Sequence, residues 1–278
     1  MILDATCSLL QHMGPVARCF VLLASLTLVA CAPQISVRPE SSVPDSEAAA
    51  VWDSFDSYSQ SQGAKQEAYR IRGSLRYGKE GDTRRVSLLF WSNGSLPIRL
   101  DVMAGVNSLV ARLLEAPDLF VVYVPSEEKA LIHEGSGRIQ LNFGKPVPFS
   151  LRDFSALMHG RFHEIFGSVK GEDAFRTEDG NLRFLLRGGL HPGELDLRAD
   201  GLPVRWAQAD GWTMEITYDD EAIPLPYKIR LKHPDGYTAI LLVKDRERPE
   251  AGFTAEQLAL DLPQGTDIEP IKKLSGTR

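Results

Sequence analysis

Cysteine is scarce in this sequence: three residues in 278, namely Cys7, Cys19 and Cys31, and all lie within the first 31 positions. The chain beyond Cys31 therefore can form no internal disulfide. Basic clusters are equally scarce, because none is larger than the Thr-Arg-Arg at 83–85, and the net charge is −6. Without a basic patch there is no electrostatic footprint for nucleic acid, and we exclude nucleic acid as a partner.

Motifs for catalysis are also few. His159 and His163 have the i, i+4 spacing of a helical zinc site, but no Glu lies between them and no third ligand is evident. Ser136 lies between glycines without forming Gly-x-Ser-x-Gly. The acidic run 218–221 is typical of a solvated turn, and no Gly-rich phosphate loop is present. We expect no enzymatic activity, no metal and no cofactor.

One dense hydrophobic run is present, Phe20–Ala30, which follows Arg18 and is too short for a membrane-spanning helix. It ends in Leu28-Val29-Ala30-Cys31, which resembles a bacterial lipobox. The resemblance implies a signal peptide over 1–30 and a lipid anchor on Cys31. The alternative is a plain buried helix, in which Cys31 is a small apolar residue. Because residues 1–12 are unusual for a signal peptide, we expect Met13 to be the true start.

Residues 31–46 contain Pro33, Pro39 and Pro44 among Ser and Glu, which predicts a flexible tether. The folded domain is expected over 47–271 and a C-terminal tail over 272–278. The domain begins with an apolar stripe at positions 51, 55 and 58, which predicts an amphipathic helix capped by Asp45 or Ser46.

The pattern then changes to period 2. From Tyr69 to Tyr77, apolar residues and Gly73 alternate with arginines and Ser74, which predicts a half-buried strand. KEGD at 79–82 predicts a hairpin turn, and Val86, Leu88 and Phe90 continue the apolar side on the return strand. Similar alternation, separated by turn signals, recurs at 97–103, 107–114, 119–124, 182–187, 194–199, 203–207, 212–218, 227–232 and 237–244. These segments predict an antiparallel meander that curls into a barrel or part of one. One helix, at 149–159 with a capping box from Ser150 and Asp153, is expected to cover its concave face.

The chain resembles the LolB branch of the LolA/LolB lipoprotein-sorting proteins over roughly residues 49–249. The likeness lies in GKPVPFSLRDFSALMHG at 144–160, in the strands of 212–249, and in 98–135. It implies a mainly β fold with lid helices, an unclosed antiparallel β-barrel (half-barrel) that encloses a hydrophobic cavity. The ending at 253–271 resembles that of the carrier LolA instead, and we expect it to add a strand at an open sheet edge.

The resemblance also assigns site residues. It places a membrane-insertion loop at Met103, Ala104, Gly105 and Val106, although an ordinary hairpin turn is the alternative. The inward positions of the strands and the lid supply a predicted acyl-chain cavity, although each residue alone could be plain core. These positions are Leu88, Phe90, Leu100, Phe154, Leu157, Met158, Leu186, Leu197, Trp206, Met214 and Ile229.

The expected function is that of a monomeric outer-membrane lipoprotein, anchored through lipidated Cys31 and facing the periplasm. It would take the acyl chains of lipoproteins from a periplasmic LolA-like carrier and help to insert the lipoproteins into the outer membrane. Ala32 after Cys31, where no Asp signals retention, agrees with that location. A lipid-binding or envelope-sensing lipoprotein is the second hypothesis, and an envelope hydrolase the third.

Overall fold

Strands dominate the part of the chain that the computed structural model describes, which is residues 41–65, 67–105, 108–135, 137–142, 144–167, 173–209, 211–219, 222 and 224–271. The predicted signal peptide, Cys31 and Val106 lie outside these residues. No helix among the described residues is long and apolar enough to cross a membrane.

Seventeen strands occur within these ranges. Seven precede residue 135: β1 (Ser41–Ser42), β2 (Tyr69–Lys79), β3 (Asp82–Ser92), β4 (Ile98–Ala104), β5 (Ser108–Ala116), β6 (Leu119–Val124) and β7 (Lys129–Glu134). The others are β8 (Gln140–Asn142), β9 (Pro146–Ser150), β10 (Ala174–Arg176), β11 (Leu182–Leu186), β12 (Gly193–Leu197), β13 (Pro203–Ala207), β14 (Thr213–Tyr218), β15 (Pro226–Lys232), β16 (Tyr237–Glu247) and β17 (Asp267–Pro270). The helices are α1 (Asp45–Lys65), the 3₁₀ turn Pro125–Glu127, α2 (Leu151–Met158), α3 (His163–Phe166) and α4 (Ala255–Leu258).

Fifteen of these strands form one sheet, in the order β1-β10-β11-β12-β13-β14-β15-β16-β2-β3-β4-β5-β6-β7-β17. Two antiparallel meanders, β2–β7 and β10–β16, meet where β16 pairs with β2. The outermost strands β1 and β17 are not paired with each other, so the sheet stays open. The predicted half-barrel of antiparallel strands is confirmed.

Strand β2 shows how the sequence sets the two faces of the sheet. Tyr69, Ile71 and Leu75 are buried, whereas the arginines between them are exposed. On the outer face Arg70 pairs with Glu247, and Arg72 pairs with Asp245 at 2.8 Å, so β2 and β16 are also joined by charge. Lys79 and Asp82 are the last paired residues of β2 and β3, so the turn between the two strands consists of Glu80 and Gly81.

Helix α1 packs against the inner face of the C-terminal meander. Its buried residues include Val51, Trp52 and Phe55, and the Trp52 ring lies 5.1 Å from Phe184 on β11. Tyr58, one turn further on, is half-buried and stacks on Phe162 at 5.8 Å between ring centroids. The predicted amphipathic stripe of this helix is therefore its core-facing side.

The segment between β7 and β10 crosses the inner face of the sheet. It contains the hairpin β8–β9, then α2 and α3, and its apolar side chains join the same core cluster as α1 and both meanders. The predicted capping box is present, because the Ser150 hydroxyl accepts from the Asp153 amide at 3.1 Å while Asp153 accepts from the Ser150 amide at 2.8 Å. We call α2 the lid helix.

The start of the folded domain differs from the sequence prediction. The tether assigned to 31–46 overlaps folded structure, because Ser41 and Ser42 pair with β10 and α1 already begins at Asp45. Asp45 and Ser46 thus lie inside the first helical turn, where a carboxylate favours the helix dipole. At the other end β17 pairs in parallel with β7, and so covers its edge as expected.

Candidate functional site

A cavity lies between the lid helix and the middle of the sheet. Its floor is formed by six neighbouring strands, β14, β15, β16, β2, β3 and β4. Their lining residues are Met214, Ile229, Leu231, Ala239, Leu241, Leu75, Leu88 and Leu100. Because these are inward positions of strands with alternating burial, the cavity follows directly from the period-2 pattern.

The roof of the cavity is made by the hairpin β8–β9 and the lid helix. Leu141, Val147 and Phe149 line it from the hairpin, and Phe154 and Leu157 line it from the helix. The Phe154 ring meets Phe90 of β3 edge to face, with centroids 5.3 Å apart. Every lining side chain is apolar, so the surface offers a ligand hydrophobic contact without hydrogen bonds.

The closed cavity is small, with about 60 Å³ of space open to the centres of water-sized groups. One buried water needs roughly 10–15 Å³ on the same scale. The closed cavity therefore has room for a few methylene groups, whereas a complete acyl chain requires the roof to move.

The structure divides the predicted cavity residues into two groups. Those that line the cavity are Leu88, Leu100, Phe154, Leu157, Met214 and Ile229. Those that are buried but do not line it are Phe90, Met158, Leu186, Leu197 and Trp206. The second group is packed against other side chains; Trp206, for example, meets Phe149 at 5.3 Å and donates to the carbonyl of His191 at 3.2 Å. In the closed structure these five residues are therefore ordinary core residues, which is the alternative given above for each of them.

Two features of the lining were not singled out from the sequence. Ala239 and Leu241 lie on β16, and the alternating pattern over 237–244 that predicts this strand also places both residues on its inner face. Leu141 and Val147 lie on the short hairpin β8–β9, for which the sequence carries no strand pattern of useful length.

The start of the lid helix is fixed to β5 by a buried carboxylate. Glu115 accepts hydrogen bonds from the Arg152 main-chain nitrogen and from its Nε, each at 2.9 Å. The Glu115 side chain is only 2% exposed. Burial raises the pKa of Glu115 above its ordinary value, and the Arg152 guanidinium opposes that rise.

A second buried carboxylate, Asp153, ties the same turn to two loops. Arg138 forms an ion pair with its Oδ1, and His191 Nε2 lies 3.6 Å from its Oδ2. Burial alone would raise the pKa of Asp153, but His191, Ser150 and Arg138 together bring it below its ordinary value. The carboxylate therefore stays ionised and holds the lid to its surroundings.

The far end of the lid helix is held by buried polar groups. Ser155 lies with its hydroxyl 3.4 Å from that of Ser92 on β3, and the ring of His159 meets Tyr69 of β2 at 4.4 Å. Burial, followed by the charge of Arg161, lowers the pKa of His159 to about 3, so the imidazole is neutral at physiological pH. Arg161 itself donates to the carbonyl of Gly94.

The predicted membrane-insertion loop is shorter than expected. Met103 and Ala104 are the last residues of β4 and pair with Leu109 and Ser108, so they belong to the strand and not to the loop. Gly105 is exposed with φ 57°, as a tight turn requires. Since Val106 lies outside the described residues, its contact with lipid stays a prediction.

His159, one of the two candidate zinc ligands, does not line the cavity. Its Nδ1–H donates to the Ser155 carbonyl at 2.7 Å, at the end of the lid helix. No group of three or more His, Cys, Asp or Glu among the described residues is placed to hold a metal. Ser136 and two of the four residues of 218–221 lie outside those ranges.

Three solved structures have a similar fold. A domain assigned to an outer membrane lipoprotein-sorting protein of Vibrio parahaemolyticus matches with a TM-score of 0.50 at 10% identity, covering 74% of this chain and 97% of that one. A DUF1329 family protein from Desulfovibrio piger gives 0.52 at 13% identity, covering 77% and 97%. A LolA superfamily protein from Nitrosomonas europaea gives 0.51 at 12% identity, covering 75% and 98%.

Sequence comparison adds no closer relative, since neither a protein-family model nor a curated protein matches the chain. At 10–13% identity the structural likeness is one of fold. The chain therefore has the fold of LolA-superfamily and lipoprotein-sorting proteins, built around an apolar cavity under a tethered helix.

Proposed function

We propose that the chain is a LolB-like lipoprotein receptor that accepts acylated lipoproteins from a periplasmic LolA-like carrier and helps to insert them into the outer membrane. The observation that carries the proposal is a cavity between sheet and lid that is lined by thirteen apolar side chains and roofed by a helix. In this proposal the protein is a monomer without enzymatic activity, anchored through Cys31 and facing the periplasm.

The energetics favour such a ligand. An acyl chain gains about 0.8 kcal/mol per methylene that leaves water, so one long chain gains on the order of 10 kcal/mol in a fully apolar site. The lining offers no hydrogen-bonding side chain, and a polar ligand would lose its hydration there without compensation. An acyl chain is the biological group that suits both conditions.

Loading of a multiply acylated lipoprotein requires an opening motion. The closed cavity has room for only a few methylene groups, and the lid helix is the element whose displacement would enlarge it. The lid is held by apolar packing and by the polar contacts of Glu115 and Asp153, whereas the sheet below is held by continuous strand pairing. In this proposal the lid moves without breaking the pairing of the sheet, because among the described residues the lid and its hairpin form no strand pairing with that sheet.

Mass spectrometry of material bound to the purified chain tests the proposal first. The expected result is acyl-bearing lipid or lipoprotein at close to one equivalent. The second step is a transfer assay, in which a labelled lipoprotein passes from its carrier to the chain without residues 1–31 and, in parallel, from its carrier through the full chain to outer-membrane vesicles. Failure of the shortened chain to accept cargo contradicts the receptor role.

A lipid-binding or envelope-sensing lipoprotein is the second candidate function. The observation that favours it is the small size of the closed cavity, because admitting one lipid chain requires less motion of the roof than admitting a multiply acylated lipoprotein. Bound free lipid together with no transfer of lipoprotein would select this function over the receptor. Purified chain that carries no acyl group, and takes up none, would contradict both.

A further inference from the structure

One inward row of side chains runs across the sheet from the cavity to a positive charge. Neighbouring strands pair Met214 with Leu231, Leu231 with Ala239, Ala239 with Tyr77, and Tyr77 with Arg84. Residues directly opposite in antiparallel strands point to the same face. Met214, Leu231 and Ala239 line the cavity, so Arg84 shares the face of the sheet on which the cavity lies.

Arg84 lies where the sheet narrows on one side. Strand β3 begins at Asp82, but its pairing with β4 begins only at Ser87, opposite Met103. Arg84 therefore lies beyond the end of β4, at the end of the sheet that carries the turn after Ala104. The row of apolar residues ends here in an exposed guanidinium at an open corner of the concave face.

The charge of Arg84 is not compensated by any described residue through a hydrogen bond or ion pair. On the outer face of the same hairpin, by comparison, Arg72 forms an ion pair with Asp245 at 2.8 Å, and Arg85 donates a hydrogen bond to Ser74 at 2.9 Å. In the next inward row Lys79 lies opposite Asp82 in the strand register, so the formal charges of these two residues cancel and the charge of Arg84 remains.

The distance from the cavity fits a ligand of one chain and one head group. Arg84 is two strands away from Ala239, which is about 10 Å across the sheet. The intervening residue, Tyr77, is half-buried and has an apolar ring with a polar end. A chain lying against Ala239 can thus place a head group over Tyr77, within reach of the Arg84 guanidinium.

We propose that Arg84 recognises a single anionic group, a phosphate or a carboxylate, on an amphiphile whose acyl chain occupies the cavity. This inference rests on the proposed binding of acyl chains, and it adds the charge of the head group as the feature that the protein selects. A guanidinium presents several donors in a fork that matches the oxygens of either anion.

Displacement of a fluorescent apolar probe from the full chain tests the inference. The competitors are palmitic acid, 1-palmitoyl-lysophosphatidylglycerol and the neutral 1-palmitoylglycerol, all below their critical micelle concentrations. We expect Arg84→Gln to weaken competition by the anionic ligands about ten-fold, as for loss of a charge-assisted hydrogen bond, and to leave the neutral ligand unchanged. If Arg84→Gln weakens competition by palmitic acid alone, the recognised group is a carboxylate. If it weakens competition by the lysophosphatidylglycerol alone, the recognised group is a phosphate.

Arg76→Gln is the matched control, because Arg76 is an exposed arginine of the same hairpin on the opposite face, and it removes the same charge. Arg84→Lys keeps the charge and should retain most of the preference. The inference is overturned if Arg76→Gln weakens competition by the anionic ligands as much as Arg84→Gln does. It is also overturned if Arg84→Gln weakens competition by the neutral ligand equally. Either result leaves the proposed binding of acyl chains in the cavity unaffected. If no competitor displaces the probe, acyl binding itself fails, and this inference falls with it.

Discussion

Glu115 on β5 accepts two hydrogen bonds of 2.9 Å from Arg152, one from the main chain and one from the guanidinium of that residue. One buried carboxylate thus fixes both the backbone and the side chain at the start of the lid helix. Together with the Asp153 cluster, it attaches the first turn of the lid helix, while Ser155 and His159 make the polar contacts further along it. Changes at this turn should act on the lid before they act on the sheet.

Replacement of Arg152 by Ala should reduce stability and loosen the lid. It leaves the 2% exposed Glu115 carboxylate without its counter-charge. We expect the free energy of unfolding to fall by about 2–3 kcal/mol in urea titrations, somewhat less than for a fully buried pair because Arg152 is partly exposed. Uptake of an apolar probe should become faster.

The matched control for that change is Arg72→Ala, which breaks an ion pair of the exposed outer face with Asp245. Its expected cost is below about 1 kcal/mol, and the rate of probe uptake should stay unchanged. An equal effect of both variants would show that Glu115 and Arg152 do not hold the lid.

A disulfide between the lid and β3 should block loading. The hydroxyls of Ser92 and Ser155 are 3.4 Å apart, so Ser92→Cys with Ser155→Cys places two thiols within bonding range after a small adjustment. In the chain without residues 1–31 no other cysteine is present to compete. We expect oxidation to abolish uptake of acyl probes, and dithiothreitol to restore it.

Each single cysteine variant serves as the control, since it changes the packing without a cross-link. Normal uptake by the oxidised double variant, with the disulfide verified by mass spectrometry, would mean that the lid does not need to leave β3.

Filling the cavity should weaken binding without unfolding the protein. Ala239 lines the floor, and Ala239→Met adds a flexible apolar side chain to empty space. We expect at least a ten-fold loss of affinity for acyl probes and an unchanged or slightly higher melting temperature. Ile240→Met, at the adjacent position on the opposite face, should leave the affinity unchanged. Retained affinity in Ala239→Met would place the ligand elsewhere.

Stability should depend on pH through His159. Its folded pKa of about 3 lies below the ordinary value of 6.5, so between these values the unfolded chain takes up a proton that the folded chain refuses. The resulting contribution of His159 to the free energy of unfolding is present above pH 6.5 and is lost as the pH falls towards 3. From pH 7 to pH 5 the loss amounts to about 2 kcal/mol for this group.

His159→Gln separates that effect from other titrations. Urea unfolding of both proteins at pH 7 and pH 5 should show a smaller loss in the variant by about 2 kcal/mol, whatever its stability at pH 7. Identical losses would mean that the imidazole gains its proton in the folded protein as easily as in water.

The sequence predicts the strands better than their arrangement. Alternation over Tyr69–Tyr77 gives β2 and its inner face because burial on one face is a local property of the pattern. The capping box of Ser150 and Asp153 likewise depends on neighbours three residues apart. By contrast, the pairing of β16 with β2 joins distant segments, and no local pattern specifies it.

The attachments of the lid were beyond sequence reasoning for a similar reason. Glu115 and Arg152 are 37 residues apart and resemble ordinary surface charges. Only the crossing of the lid over β5 makes that carboxylate buried and paired. The short partners β1 and β8 were missed because two or three residues are too few to show a period.

The segment that carries the lid leaves the sheet at β7 and rejoins it at β10, and each of these strands is one place in from an outer edge. The chain therefore connects the lid to both margins of the open sheet. A displacement of the lid that exceeds the slack of these connections would pull on the margins. In this topology a large ligand under the roof would then also change the curvature of the floor.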